Sequence, residues 1–311
     1  MAIIEPSYIE TFKKGLLQEK VHKAHNLLKS CVLCPRKCGI DRQSGETGFC
    51  NTGRLAWVSS YNPHFGEEDA LVGIHGSGTI FFTHCNLRCL FCQNFDISHQ
   101  GCGQEVSADE MAAMMLALQN RGCHNINFVT PSHVVPQILS ALEVAIRHGL
   151  SVPLVFNTGG YDRVATLKLL EGVFDIYMPD FKFWDSQIAE NACQAADYPE
   201  VARRALLEMH RQAGDLQLDE TGIARRGLLI RHLVLPDGRA GTREIMRFIA
   251  QRLSPDSYVN IMSQYRPCGR AAEVKGLNSH LAPKEYQMAV QAAKEEGINR
   301  LDRPRRLFPF R

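Results

Sequence analysis

From residue 78 onward, apolar runs of strand length alternate with stretches whose apolar positions recur every three or four residues. The strand-like runs span 78–82, 126–129, 152–157, 173–180, 228–235 and 258–264. Between the first two, Ser107-Ala108-Asp109-Glu110 reads as a capping box. It opens a helix with Met111, Met114, Met115 and Leu118 on one face, stopped by Gly122. Val134, Val135, Ile138, Leu139, Leu142 and Ile146 mark the next helix, closed by Gly149. Further helices are expected over 162–170 and 242–253, with a longer helical insert at 186–213. Strands that alternate with helices in this way predict a parallel α/β sheet with right-handed crossovers. Six units fall short of the eight that close a barrel.

The pattern upstream is different. Tyr8, Phe12, Leu16, Leu17, Val21, Ala24, Leu27 and Leu28 recur at helical spacing, so 6–29 is expected as a packing helix. The expected division is a helical segment at 1–30 and a cysteine-rich module with connector at 31–75. The α/β body follows at 76–275, then a C-terminal helix and basic tail at 276–311.

Cysteine usage changes the picture most. Of eleven cysteines, seven fall in two tight groups before residue 93. Cys85, Cys89 and Cys92 form C-x3-C-x2-C on one loop directly after the first strand. Soft thiolates favour iron–sulfur clusters, zinc or Cu(I). No fourth cysteine follows closely, so a cluster held there keeps one iron open to a non-protein ligand. Cys31, Cys34, Cys38 and Cys50 form a second group, C-x2-C-x3-C-x11-C, among Gly45, Gly48 and Gly53. Four thiolates at that spacing close a tetrahedral site for zinc or a second iron–sulfur cluster alike. Arg36, Lys37 and Arg42 are expected to offset their charge. Cys102, Cys123 and Cys193 are assigned to packing.

The string Cys85-Asn86-Leu87-Arg88-Cys89-Leu90-Phe91-Cys92, with an aromatic before the last cysteine, resembles the signature of radical S-adenosylmethionine enzymes. Its continuation Gln93-Asn94-Phe95-Asp96-Ile97-Ser98 resembles the branch related to pyruvate formate-lyase activating enzymes. The resemblance runs from about Cys31 to Pro267 and implies a partial (β/α)6 TIM-like barrel behind the N-terminal module. It also implies a [4Fe-4S] cluster on Cys85, Cys89 and Cys92 that reductively cleaves S-adenosylmethionine to a 5′-deoxyadenosyl radical. That radical abstracts hydrogen from a substrate, which in the activating branch is a glycyl radical enzyme. A maturase acting on another protein or a small molecule is the alternative. A non-catalytic zinc-binding adaptor is the reading from a different class. The electron donor implied is a flavodoxin or ferredoxin.

In parallel barrels ligands sit at the carboxyl ends of the strands, which singles out the residues there. Thr130-Pro131-Ser132-His133 follows the second strand, where the wider superfamily usually has two glycines and an acid. His133 is read as capping the helix after it. Asn157 and Thr158, before Gly159-Gly160, are expected at the cofactor, as is Phe91 beside the adenine. The resemblance matches Asp180-Phe181-Lys182 to an Asp-x-Lys motif, with Lys182 for the cofactor carboxylate and Asp180 for its amine or a bound cation. Tyr265, Arg266 and Cys268 are expected to meet substrate, whereas Glu67 and Glu68 are not expected at the site.

Charge adds little. A formal charge of +2 implies no nucleic-acid or membrane affinity. No basic-then-apolar leader opens the chain and no apolar run reaches the ~18 residues of a membrane span. Cysteines clustered as metal ligands rather than spread as disulfides point to the cytoplasm. The tail from Arg300 to Arg311, with five arginines, Phe308 and Phe310, is expected to be solvated or docked on the surface.

Overall fold

The computed structural model describes residues 5–302. Ten strands build one sheet: β1 Ala56–His64, β2 Ser77–Phe82, β3 Gln104–Val106, β4 Ile126–Val129, β5 Leu154–Thr158, β6 Ile176–Pro179, β7 Gln217–Leu218, β8 Ala224–Leu233, β9 Tyr258–Met262 and β10 Arg300–Leu301. Its order is β10-β9-β8-β6-β5-β4-β2-β1-β3, with β7 paired to β8. Neighbours along that order from β10 to β2 are parallel, whereas β1 runs antiparallel to β2, β3 to β1 and β7 to β8. The six expected strands are β2, β4, β5, β6, β8 and β9. They lie side by side in chain order, as a sheet wound in one direction requires, and the two ends of the sheet do not pair. That is a partial barrel.

Period-two alternation sorts the strand residues between two faces. Ile80, Phe128, Phe156 and Tyr177 stand in register across β2, β4, β5 and β6, on the face that forms the main core with the helices. Val155, Ile176, Met178 and Leu229 point the other way, into a smaller apolar cluster with Leu71, Leu216 and Ala224. Two residues further along their strands, the same inner face becomes polar at Asn157, Asp180 and Arg231. A parallel sheet buried on both faces therefore carries a charged layer at its carboxyl end.

The helices follow the periodicity, with local differences. Ala108–Asn120 opens on the full capping box: Ser107 Oγ accepts from the Glu110 amide at 3.2 Å and Glu110 Oε2 accepts from the Ser107 amide at 2.7 Å. Met111, Met115 and Leu118 are buried there. Val135–Arg147 buries Val135, Ile138, Leu139 and Leu142 of the expected stripe, whereas Val134 precedes the helix and Ile146 is half-buried. The single helix expected over 6–29 is two, Ser7–Lys13 and Leu16–Asn26, because Gly15 turns the chain with φ 73°. The insert after β6 is likewise two, Ser186–Cys193 and Tyr198–Ala213, broken by the left-handed Gln194. Residues 56–64, read as connector, are β1. The helix expected at 162–170 covers Val164–Leu169 only. Among the described residues no helix is long and apolar enough to cross a membrane. The basic tail from residue 303 onward lies outside the described residues.

Candidate functional site: a cysteine loop over a charged strand-end layer

The loop after β2 doubles back at two left-handed non-glycine residues, His84 (φ 64°) and Arg88 (φ 52°). This turns backbone amides toward sulfur. Cys85 Sγ accepts from the amides of Leu87 at 3.3 Å and Arg88 at 3.5 Å, and Cys92 Sγ accepts from Ser98 Oγ at 3.2 Å. Cys85, Cys89 and Cys92 all line one cavity of roughly 250 Å³, together with Phe91, Thr130, Asn157, Thr158, Asp180, Lys182 and Arg231. Burial pushes the Cys85 thiol up to about 12, with the neighbouring Cys89 and Cys92 adding to the rise. Contact with Cys193, then burial, pushes Cys89 up as well.

Three soft donors on one cavity wall, each already taking a hydrogen bond at sulfur, fit an iron–sulfur centre by donor chemistry. Among the described residues no three His, Cys, Asp or Glu side chains stand in a metal-holding group. The charged side chains of Asp180, Lys182 and Arg231 line the same cavity as the three cysteines.

That layer is a linked set. Asp180 Oδ1 accepts from Arg231 Nε at 2.8 Å and Oδ2 from Lys182 Nζ at 2.5 Å; Arg231 Nη2 donates to Asn157 Oδ1 at 2.6 Å. Glu67 Oε2 lies 3.6 Å from Arg231 Nη1, and Glu68 Oε1 accepts from Asn260 Nδ2 at 2.8 Å. Burial works to raise the Asp180 pKa, but Arg231 and Lys182 outweigh it and hold the carboxylate below its ordinary range. Burial likewise works against the Lys182 ammonium, and Asp180 and Cys89 more than restore it. Burial holds Glu68 above the usual carboxylate range.

A second set stands behind Thr158. Asp162 Oδ2 accepts from Thr158 Oγ1 and Oδ1 from Ser132 Oγ, both at 2.6 Å, and burial pushes Asp162 up to about 6. Gly160 adopts φ 78°, where a Cβ would meet the Asp180 carbonyl oxygen at 2.1 Å. The Tyr198 hydroxyl locks the turn: it accepts from the Lys182 amide at 2.9 Å and lies 3.0 Å from the carbonyls of Gly159 and Asp180.

Phe91, Asn157, Thr158, Asp180 and Lys182 are thus brought to one cavity with the three cysteines. Other expectations are corrected. His133 caps nothing: it is buried with Nε2 3.0 Å from the Thr83 carbonyl, and burial lowers its pKa to about 3. The Tyr265 hydroxyl donates to the Leu277 carbonyl at 2.5 Å and its ring packs near Phe91 without itself lining the cavity. Arg266 and Cys268 do not line the cavity either, whereas Gln264 does. Cys193 is buried in the main core, as its assignment to packing expects, and also places its Sγ 3.3 Å from Cys89 Sγ. Glu67 does reach the charged layer, through Arg231. Arg231 and Asp162 were the residues that sequence reasoning missed as site members. The signal for Arg231 is its place in an apolar strand, at the same height as the Asp180 turn.

In the N-terminal module, burial pushes Cys34 up to about 12, and Cys50, Cys31 and Cys38 each add to the rise. Gly48 is required by closeness: a Cβ there would lie 2.7 Å from Cys38 Sγ. Buried Arg42 has Nη1 3.9 Å from Cys31 Sγ and donates to the Gly53 and His133 carbonyls. Arg36 leaves the module for the cysteine loop, and Lys37 is exposed.

No family profile matches the chain. Two solved structures are similar to it: native anSMEcpe with bound AdoMet, with TM-score 0.46 and 14% identity, and the same protein with bound AdoMet and the Cp18Cys peptide, with TM-score 0.47 and 12% identity. Each covers 68% of this chain, which spans 57% and 56% of their length. The uncharacterized protein MJ0674 of Methanocaldococcus jannaschii is 32% identical over 299 residues, 94% of this chain and 82% of that protein. Identity of that degree over that length means that the chain belongs to the family of MJ0674.

Proposed function

We propose that the chain is a radical S-adenosylmethionine enzyme, on the observation that Cys85, Cys89 and Cys92 share one strand-end cavity with the Asp180–Lys182–Arg231 layer. When bound, a [4Fe-4S] cluster and S-adenosylmethionine supply a one-electron cleavage that yields a 5′-deoxyadenosyl radical. The protein's own part is to hold and orient. The three thiolates carry the cluster; Lys182 takes the cofactor carboxylate and Asp180 its amine. Asn157 and Thr158 offer polar groups beside them, and Phe91 gives the adenine an apolar wall. Arg231, which also lines the cavity, holds the Asp180 carboxylate through Oδ1 and so fixes its orientation. Supporting this reading are the motif, its place after the first parallel strand, and the sheet order around it.

The hydrogen donor we propose is the glycine of a partner enzyme, as in activating enzymes, with a flavodoxin or ferredoxin as reductant. A maturase acting on another protein or a small molecule is the alternative within the same chemistry. For Cys31, Cys34, Cys38 and Cys50 we propose a second metal site, taking zinc or a further cluster. The test is iron, sulfide and zinc per chain in anaerobically purified wild type and in Cys31→Ala/Cys34→Ala. About four irons in both forms, the content of one cysteine-held [4Fe-4S] centre, support a single radical cluster. A fall from about eight to about four adds a second cluster. Zinc at both groups and no iron overturn the proposal in favour of an adaptor.

A further inference from the structure

Arg36 stands between Cys34 and Cys38, yet its side chain leaves that module. Nε donates to the Asn86 carbonyl at 3.0 Å; Nη2 reaches the Leu87 carbonyl at 3.4 Å and the Cys193 carbonyl at 2.8 Å; Nη1 donates to the Gln194 carbonyl. Two of these acceptors lie between Cys85 and Cys89. The other two end the helix Ser186–Cys193, whose Ala192 carbonyl also accepts from the Leu90 amide at 2.9 Å. The guanidinium lies over the ring of Phe49, 3.8 Å from its centre, and 5.2 Å from that of Tyr161. Lacing runs the other way as well, since Arg88 Nη1 donates to the Phe49 carbonyl at 3.3 Å, one residue before Cys50. The two cysteine groups are therefore tied by the Arg36 fork and, in the other direction, by Arg88.

Only a guanidinium suits this place. It offers five donors in a fixed plane and stacks on aromatic faces, whereas an ammonium does neither. It also carries a permanent positive charge onto the peptides that follow Cys85. Net charge and hydrogen bonding around a cluster are what set its reduction potential.

We propose that Arg36 is a positioning residue of the radical centre: its fork fixes the Cys85–Cys89 loop, and its charge raises the cluster's reduction potential. This rests on the radical reading above and deepens it, because the N-terminal cysteine module then acts on the reactive loop through the Arg36 side chain. R36Q removes charge and fork; R36K keeps the charge and loses the fork. Wild type and both variants are reconstituted anaerobically as full chains, counted for iron, and titrated for midpoint potential by electron paramagnetic resonance. Iron per chain is expected to fall at least twofold in both variants. The potential of the remaining cluster is expected to move negative in R36Q and to stay with wild type in R36K. If R36Q fails to fold by circular dichroism, R36K decides: lowered iron with an altered line shape supports the proposal, and wild-type iron with a wild-type line shape overturns it. R36Q with wild-type iron and potential overturns this inference alone. A wild type that takes up no iron overturns the radical reading and this inference with it.

Discussion

Asp180→Asn takes one negative charge out of a buried set of three. The side chains of Asp180, Lys182 and Arg231 are 11%, 16% and 18% exposed, with contacts of 2.5 and 2.8 Å to the two cations. Breaking a buried pair from one side costs about 3–5 kcal/mol, because the remaining charge stays desolvated. Asn matches Asp in shape, so no cavity is added. Glu67 still balances part of Arg231 at 3.6 Å, which places the loss near the low end, about 3 kcal/mol. A chain of this length loses roughly 2 °C in Tm per kcal/mol, so the melt should fall by about 6 °C. The assay is calorimetry and urea unfolding of the metal-free protein for D180N, Lys182→Met and the double variant. The double variant should lose less than the sum, since each single change strands the other's partner. The pH dependence has a definite sign. The folded-state pKa of Asp180 lies below its unfolded value of about 3.9, so the stabilisation is present above that pH and lost as pH falls through the folded pKa. The gap between wild type and D180N should be full near neutrality and close below about pH 4. A loss under about 1 kcal/mol at pH 7, the worth of an exposed pair, would refute the buried-network reasoning.

Asp162 should behave with the opposite sign. Its carboxyl is raised to about 6 by burial, so its contribution is present below the unfolded pKa and lost as pH rises through 6. Wild type should lose stability between about pH 4 and pH 7 by an amount that Asp162→Asn abolishes; parallel slopes for the two proteins would count against it. Gly160→Ala must relieve a 2.1 Å approach at φ 78°. It should cost about 2–4 kcal/mol from backbone strain plus overpacking, and a wild-type melt would show that the turn can open. In metal-free protein, diamide should take two hydrogens from Cys89 and Cys193, whose sulfurs are 3.3 Å apart, and leave a disulfide. Non-reducing peptide mapping checks this, and recovery of both as free thiols would contradict it.

Six parallel strands and most helix faces were legible because period two and period three-to-four patterns persist over several residues. β1 was not, because Asn62-Pro63-His64 at its end carries turn-forming and polar residues, and its pairing with β2 is a long-range choice. The breaks at Gly15 and Gln194 are single left-handed residues inside otherwise helical patterns. At the site, residues grouped by a short motif were found: the three cysteines and the Asp180–Lys182 pair. Those joined only by folding were missed. Arg231 is 51 residues from its partner Asp180, and Cys193 is 104 residues from Cys89. His133 failed for a related reason: its partner is the Thr83 carbonyl on the preceding strand unit, not the helix it adjoins.

The central claim is most directly tested by 5′-deoxyadenosine itself. Anaerobically reconstituted wild type and Cys89→Ala are each given S-adenosylmethionine and dithionite, and the nucleoside is quantified by chromatography. Steady formation by wild type and none by Cys89→Ala is the predicted result. Equal formation by both, or none by a wild type that holds its iron, would contradict the radical chemistry proposed for this cavity.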